Sequence, residues 1–210
     1  MKVRIFQHSP TQTVEYWYDA STNGGTTAFS IATETATVTI TAVNDAPVLD
    51  TSGSPTLTTI TENDTGNAGD TVAAIVLSAG PDEITDVDIG AVEGIAVTGL
   101  TSGNGSWEYN IGSGWVVVGA VADNSALLLR ATDSLRFVPD TLNADSATLS
   151  YRAWDQYTGT EGTKVDATTN GGTTAFSTAT ETASITVTAV NDAPVLDNTE
   201  IGRASCRERV

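Results

Sequence analysis

The chain has 210 residues, with 26 acidic against nine basic side chains, one cysteine, one histidine and a formal net charge of −17. So acidic a chain repels phosphate backbones and anionic lipid surfaces, which argues against nucleic acid and membranes as partners. No stretch approaches the roughly 18–20 apolar residues of a membrane span, and one cysteine closes no disulfide within the chain.

In chain order, residues 1–19 stand apart from the rest. Residues 21–50 read STNGGTTAFSIATETATVTITAVNDAPVLD and recur as residues 168–197, at an offset of 147 with 25 of 30 positions identical. A near-identical internal repeat implies a slice of an array of like modules. At the same offset, residues 4–19 and 151–166 agree only at Thr11, Thr13 and Asp19. Homology therefore switches on near Asp19, and two readings stay open for residues 1–19: a false start or frame error, or a diverged terminal copy. The first twenty residues show no apolar core with a cleavage site, so no signal peptide is visible.

Past the second copy, Ile201–Val210 (IGRASCRERV) reads as a sequencing adaptor translated in frame and is set aside. It holds Cys206, so the remaining chain has no cysteine, and six basic side chains face 25 acidic ones. The division expected is a truncated preceding repeat over 1–45, with 20–45 its closing hairpin or strand and linker. A complete repeat follows over 46–193, then the start of the next linker over 194–200, then the foreign tail over 201–210.

The composition is β-forming: 36 threonines accompany frequent valine and isoleucine. In residues 35–43, Ala36, Val38, Ile40 and Ala42 share one face and threonines the other, a half-buried strand by its period of two. Its copy is 182–190. Further strands are expected at 56–60, 71–78, 94–100, 105–111, 114–121, 134–139 and 147–154. SGSP, NAGD, SGNG, GSG and TNGG mark the turns between them. No segment sustains a helical period, and 125–133 is expected to hold a helical turn at most. Short strands so spaced predict an all-β, Ig-like β-sandwich.

Trp107, Tyr109 and Ile111 alternate on one strand face, with Trp115 across the GSG turn. They read as core, with a surface platform for sugar rings as the rival. Phe137, Tyr151 and Trp154 also read as core. His8 lies in the mismatched start, so no histidine is left in the repeat for Ser-His-Asp chemistry. No phosphate loop appears, and no His/Cys cluster exists for zinc. Paired carboxylates of the glycosidase kind would need an aromatic platform beside them. The chain reads as not an enzyme.

TVTAVNDAPV, WEYNIGSGWVVVGAVADNSALLLRATDSLRFVP and ATLSYRAWDQYTGT carry a resemblance. They resemble the linker and body of bacterial cadherin-like and VCBS-type tandem repeats of large secreted adhesins, over roughly residues 21–197. The resemblance implies a cadherin-like β-sandwich that acts as a structural or adhesive module outside the cell. Its partners would be neighbouring repeats and, for the whole molecule, glycans or other cells. The rival functions are a glycan-binding module and a non-catalytic segment of a secreted hydrolase or toxin.

Such repeats hold Ca²⁺ where domains meet, and the resemblance maps ligands onto this sequence. Asn44 and Asp45 of the linker would serve a first junction with Asp86, Asp88 and Asp155. Glu62 would serve a second, incomplete junction with Asn191 and Asp192. Ca²⁺ takes six to eight oxygens, which loop carboxylates and linker carbonyls can supply. Asp86 and Asp88, two apart, would point the same way from an extended segment. Ala42, Ala189, Ala46 and Ala193 replace linker ligands of the cadherin form, and the Asp-Arg-Glu element has no counterpart. Solvated turn carboxylates are the alternative to a calcium site.

Overall fold

Alternating sequence becomes strand here only where a neighbouring strand receives it. The computed structural model describes residues 2–9, 12–19, 21–27, 29–32 and 34–194, the first two stretches by backbone alone. The chain divides into two units, Met1–Ala42 and Val43–Val210. The expected adaptor tail lies outside the described residues, as does all of the 194–200 segment except Pro194.

In the first unit, β1 (Lys2–Ser9) pairs antiparallel with β2 (Gln12–Asp19), from Lys2 opposite Asp19 to Ser9 opposite Gln12. The Thr-Asn-Gly-Gly turn follows, with Gly24 at φ 78° and Gly25 at φ 59°. The strand expected at 35–43 does not form. Val38 and Ile40 are 86% and 89% exposed.

The second unit is all-β apart from one short helix. Its first strands are β3 (Val48–Leu49), β4 (Ile60–Thr61) and β5 (Asp70–Thr71), followed by helix α1 (Val72–Leu77). Next come β6 (Ile84–Thr85), β7 (Gly94–Thr101), β8 (Gly105–Asn110), β9 (Val116–Val117) and β10 (Ala126–Arg130). The last are β11 (Ser134–Pro139), β12 (Asp145–Trp154), β13 (Lys164–Val165) and β14 (Glu181–Thr188). One sheet has the order β13-β10-β7-β12-β14-β4, a second β5-β11-β8-β9, and β3 pairs with β6. Every pairing is antiparallel except β14 with β4.

The main core joins residues of both large sheets and the helix: Val97, Leu129, Leu149 and Ile185 with Trp107, Leu135, Phe137 and Ile75. Trp107 and Phe137 meet edge to face at 5.4 Å. A smaller cluster of Ala96, Leu128, Trp154, Ala167 and Phe176 also draws on β7, β10 and β12. Neighbouring residues of β10 thus fall in different clusters, so both faces of this strand are buried. That corrects the helical turn expected at 125–133, because a strand covered on both sides has no period of two to reveal it.

The 71–78 strand is corrected the other way. Val72, Ile75 and Val76 are buried at helical spacing, and Thr71 Oγ1 accepts from Ala74 N at 3.2 Å as the N-cap. The strand at 114–121 shrinks to two residues, since Gly114 and Gly119 take positive φ and break the ladder. That at 56–60 shrinks to a bridge at Thr56 and to β4. No helix among the described residues is long and apolar enough to cross a membrane.

Candidate linker clamp and cation site

The linker Asn44–Pro47 enters the second unit between three loops, and each contributes an acceptor. One loop is the Thr-Asp-Val-Asp segment after β6. It is not extended, which corrects the expectation for its two acids. Asp88 N donates to Asp86 Oδ1 at 2.8 Å, so aspartate closes a turn on its own backbone. Asp88 Oδ2 is left to accept from the linker, taking Asp45 N at 2.8 Å.

The second loop leaves the end of β12. Asp155 is 7% exposed, and its Oδ1 accepts from Tyr157 N at 2.8 Å while Gln156 turns the chain at φ 64°. Its Oδ2 accepts from Asn44 Nδ2 at 2.9 Å. The third loop is the second Thr-Asn-Gly-Gly turn. Asn44 Nδ2 also donates to Thr174 O at 3.2 Å, and Ala46 N donates to Gly172 O at 2.8 Å.

Asn44, Asp45, Asp86, Asp88 and Asp155 are therefore brought together, linked through the donors of the linker. The carbonyls of Gly172 and Thr174 join them, and no side chain in the sequence marks them out. Main-chain acceptors carry no residue signature. The available signal was the turn itself, which precedes the Asn-Asp linker in both copies.

One oxygen in the cluster is unsatisfied: Asp86 Oδ2 is buried without a hydrogen-bond partner. Asp86 and Asp155 line a cavity of about 40 Å³ with Pro47, Ile84, Thr85, Ala91, Val92 and Glu93. Such a space suits a water or an ion and not a metabolite. None of the ion pairs among the described residues reaches these carboxylates; they join Arg130 to Asp133 and Glu161, Arg136 to Glu108, and Arg152 to Asp123. As placed, no three His, Cys, Asp or Glu side chains among the described residues are gathered to hold a metal ion.

At the far end of the unit, Glu62 is 2% exposed and its Oε1 accepts from Val190 N at 2.6 Å. It grips the chain one residue before the second linker. Asn191 Nδ2 reaches only Asp192 O, at 3.4 Å, and both residues are exposed. Glu62 thus bonds the residue just before the second Asn-Asp pair but not the pair itself.

The aromatic residues take different places. Trp107 is 2% exposed, while Trp115 is half-buried with the Arg136 guanidinium 4.3 Å over its ring. Trp154 is buried and its Nε1 donates to Thr158 O at 2.7 Å. No protein family, no curated protein and no solved structure matches the chain.

Proposed function

We propose that this chain is a non-enzymatic structural module of a tandem array, a cadherin-like β-sandwich that extends a large extracellular bacterial surface protein. The observation that carries this reading is the clamped linker, in which Asn44, Asp45 and Ala46 are each held by a different loop of the unit they enter. Those ties fix the linker on the side of the unit it enters. Stacked modules with such joints extend linearly, whereas a flexible chain spreads only as the square root of its length.

The near-identity of residues 21–50 and 168–197 supports a division into the closing segment of one repeat over 20–45 and a complete repeat over 46–193. Each linker is then gripped from both sides. The outgoing end is held as Glu62 holds Val190, and the incoming end as Asp88 and Asp155 hold Asp45 and Asn44. Neighbouring repeats are the first partners of such a module. Burial of Trp107 disfavours the sugar-platform alternative, because a stacking face must be open to its ligand.

The clamp also supports a Ca²⁺ site, and the residues fit in kind. Asp86 Oδ2 is a buried oxygen with no partner, and Asp88 and Asp155 add further carboxylates. Turning the Asn44 amide by 180° exchanges its nitrogen for an oxygen beside Asp155. Bound there, Ca²⁺ would supply positive charge that these carboxylates otherwise obtain from linker N–H groups. At the second junction, Glu62, Asn191 and Asp192 would complete a like site only with a following module.

The test is a thermal melt of the full chain with millimolar Ca²⁺ and with chelator. A site saturated about 100-fold above its dissociation constant adds about 2.7 kcal/mol, or roughly 5–10 °C for a unit of this size. Asp86→Ala with Asp88→Ala should abolish the shift. An unchanged melting temperature and an unchanged length in solution scattering would remove calcium from the account.

A further inference from the structure

Two carboxylates in the second unit have no counter-charge among the described residues. Glu181 opens β14 directly opposite Tyr151 of β12, and cross-strand partners share a face of the sheet. That face is the core side, where Tyr151, Leu149 and Ala183 are buried. Glu181 Oε1 accepts from Thr182 N at 2.7 Å, while its Oε2 is buried without a partner. Glu83 arrives from the loop after α1. Asp82 turns the chain at φ 58° and stays exposed, whereas Glu83 is only 7% exposed. Gly80 leaves room for it, since a Cβ there would stand 2.6 Å from Glu83 Oε1. Asp50 N donates to Glu83 O at 2.8 Å and fixes that backbone. Among the described residues, neither the Glu83 carboxylate nor the Tyr151 hydroxyl has a hydrogen-bond or ion-pair partner.

Both acids act on the same phenol. Burial, then the charges of Glu181 and Glu83, push the Tyr151 hydroxyl up from its ordinary value. No basic side chain is left to balance the pair, because residues 43–194 hold four and all are committed. Arg130 is tied to Asp133 and Glu161, and Arg136 to Glu108. Arg152 is tied to Asp123 and to the Ser177 and Thr178 carbonyls, and Lys164 to those of Val118 and Ala120. Buried charges are paired or coordinate metals, since an uncompensated one is costly to take from water. A like charge nearby adds to that cost.

We propose that Glu83 and Glu181, with the Tyr151 hydroxyl beside them, hold a Ca²⁺ ion drawn from solution. Two carboxylates cancel a divalent charge. Ca²⁺ accepts irregular oxygen sets completed by water, whereas Mg²⁺ demands a near-ideal octahedron. Glu181 is half-buried, so the pair lies close beneath the surface. The ion would join β14 to the loop after α1 within one unit. It shares no residue with the linker clamp, and it holds whether or not the chain belongs to an array.

The test uses the full chain with Asp86→Ala and Asp88→Ala, which takes two carboxylates from the linker site. Equilibrium dialysis at about 1 mM Ca²⁺, a level suited to weak extracellular sites, should retain one ion per chain. Calcium should raise the melting temperature of this chain above that in chelator by at least about 3 °C. Adding Glu83→Gln and Glu181→Gln keeps the shape and removes the charge. That variant should lose both the retained ion and the shift. In chelator it should melt no lower than its parent, because the unpaired charges are gone. Glu181→Gln alone, at a half-buried position, should weaken binding at least about tenfold and serves if the pair of changes does not fold. No ion retained by the Asp86→Ala, Asp88→Ala chain would overturn the proposal. So would an equal calcium shift with and without the Glu83 and Glu181 changes. A chain that grows more stable as pH falls, with calcium adding nothing, would overturn it too, by putting a proton in place of the ion.

Discussion

The two copies of one sequence, residues 21–42 and 168–189, share a turn and differ in a strand. In the first, Gly24 N donates to Phe29 O at 2.8 Å and Thr27 Oγ1 to Gly24 O at 2.8 Å. In the second, Gly171 N donates to Phe176 O at 2.8 Å and Thr174 Oγ1 to Gly171 O at 2.9 Å. The serine that follows repeats as well, with Ser30 Oγ to Ala32 O at 2.6 Å and Ser177 Oγ to Ala179 O at 2.8 Å. Beyond it the copies part: Glu181–Thr188 is a strand and its twin is not. Turn geometry is closed by bonds within a few residues, so it travels with the sequence. A strand makes its ladder bonds to its neighbours and none within itself, so it forms only where they are.

The largest contrast is expected from one change made in both copies. Ile185→Ala empties a sealed position and should cost the second unit about 2–5 kcal/mol. Val38→Ala, its counterpart, should alter stability by less than about 0.5 kcal/mol in dilute solution. Chemical denaturation of the two variants measures the contrast.

The turn offers a subtler pair. At Gly171, φ is 72° and an added Cβ would meet Thr178 Oγ1 at 2.5 Å. Gly171→Ala should therefore cost about 1–2 kcal/mol or more, from the left-handed backbone alone. Gly24→Ala strains the matching turn at φ 78°, yet should leave the melting of the second unit where it was.

The two linkers should differ at a similar scale. Asp155→Ala removes the charged acceptor of the Asn44 amide and leaves the Tyr157 N–H without its partner, and charge-assisted bonds of this kind are worth about 1.5–3 kcal/mol. Asp192→Ala at the exposed copy should cost almost nothing. Limited proteolysis should find the first linker opened by Asp155→Ala and the second unaffected by Asp192→Ala.

The smallest effect belongs to acid. The backbone N–H of Ser52 lowers Asp50, that of Leu142 lowers Asp140, and the Thr168 hydroxyl lowers Asp166. Carboxyls lowered by folding stabilise it above their unfolded value of about 3.9, and that help is lost as pH falls through the lowered values. Asp50→Asn, Asp140→Asn and Asp166→Asn together should flatten the acid limb of a stability-against-pH curve, while at neutral pH they remove the small contribution of three exposed groups.

Much of this was legible in the residues. β8, β11, β12 and β14 announce themselves by alternation and β7 by an apolar run between turn signals, and all five form near their expected bounds. β10 hides because it is apolar on both faces, and α1 because two turns are too short to sustain a period. The failure at 35–43 has another cause: its pattern is right and its partner is elsewhere. In the clamp, Asp88 and Asp155 were named through the resemblance to cadherin-like repeats, but the turn made by Asp86 and the carbonyls of Gly172 and Thr174 are products of folding.

One string, Asn-Asp-Ala, is held at residues 44–46 and exposed at residues 191–193. Amide hydrogen exchange on the full chain reads this directly. Asp45 and Ala46, bonded to Asp88 Oδ2 and Gly172 O, should exchange slowly, while Asp192 and Ala193 exchange near the rate of an open peptide. Equal, fast exchange at both copies would mean that no clamp exists, and the reading of this chain as a module with fixed joints would fall with it.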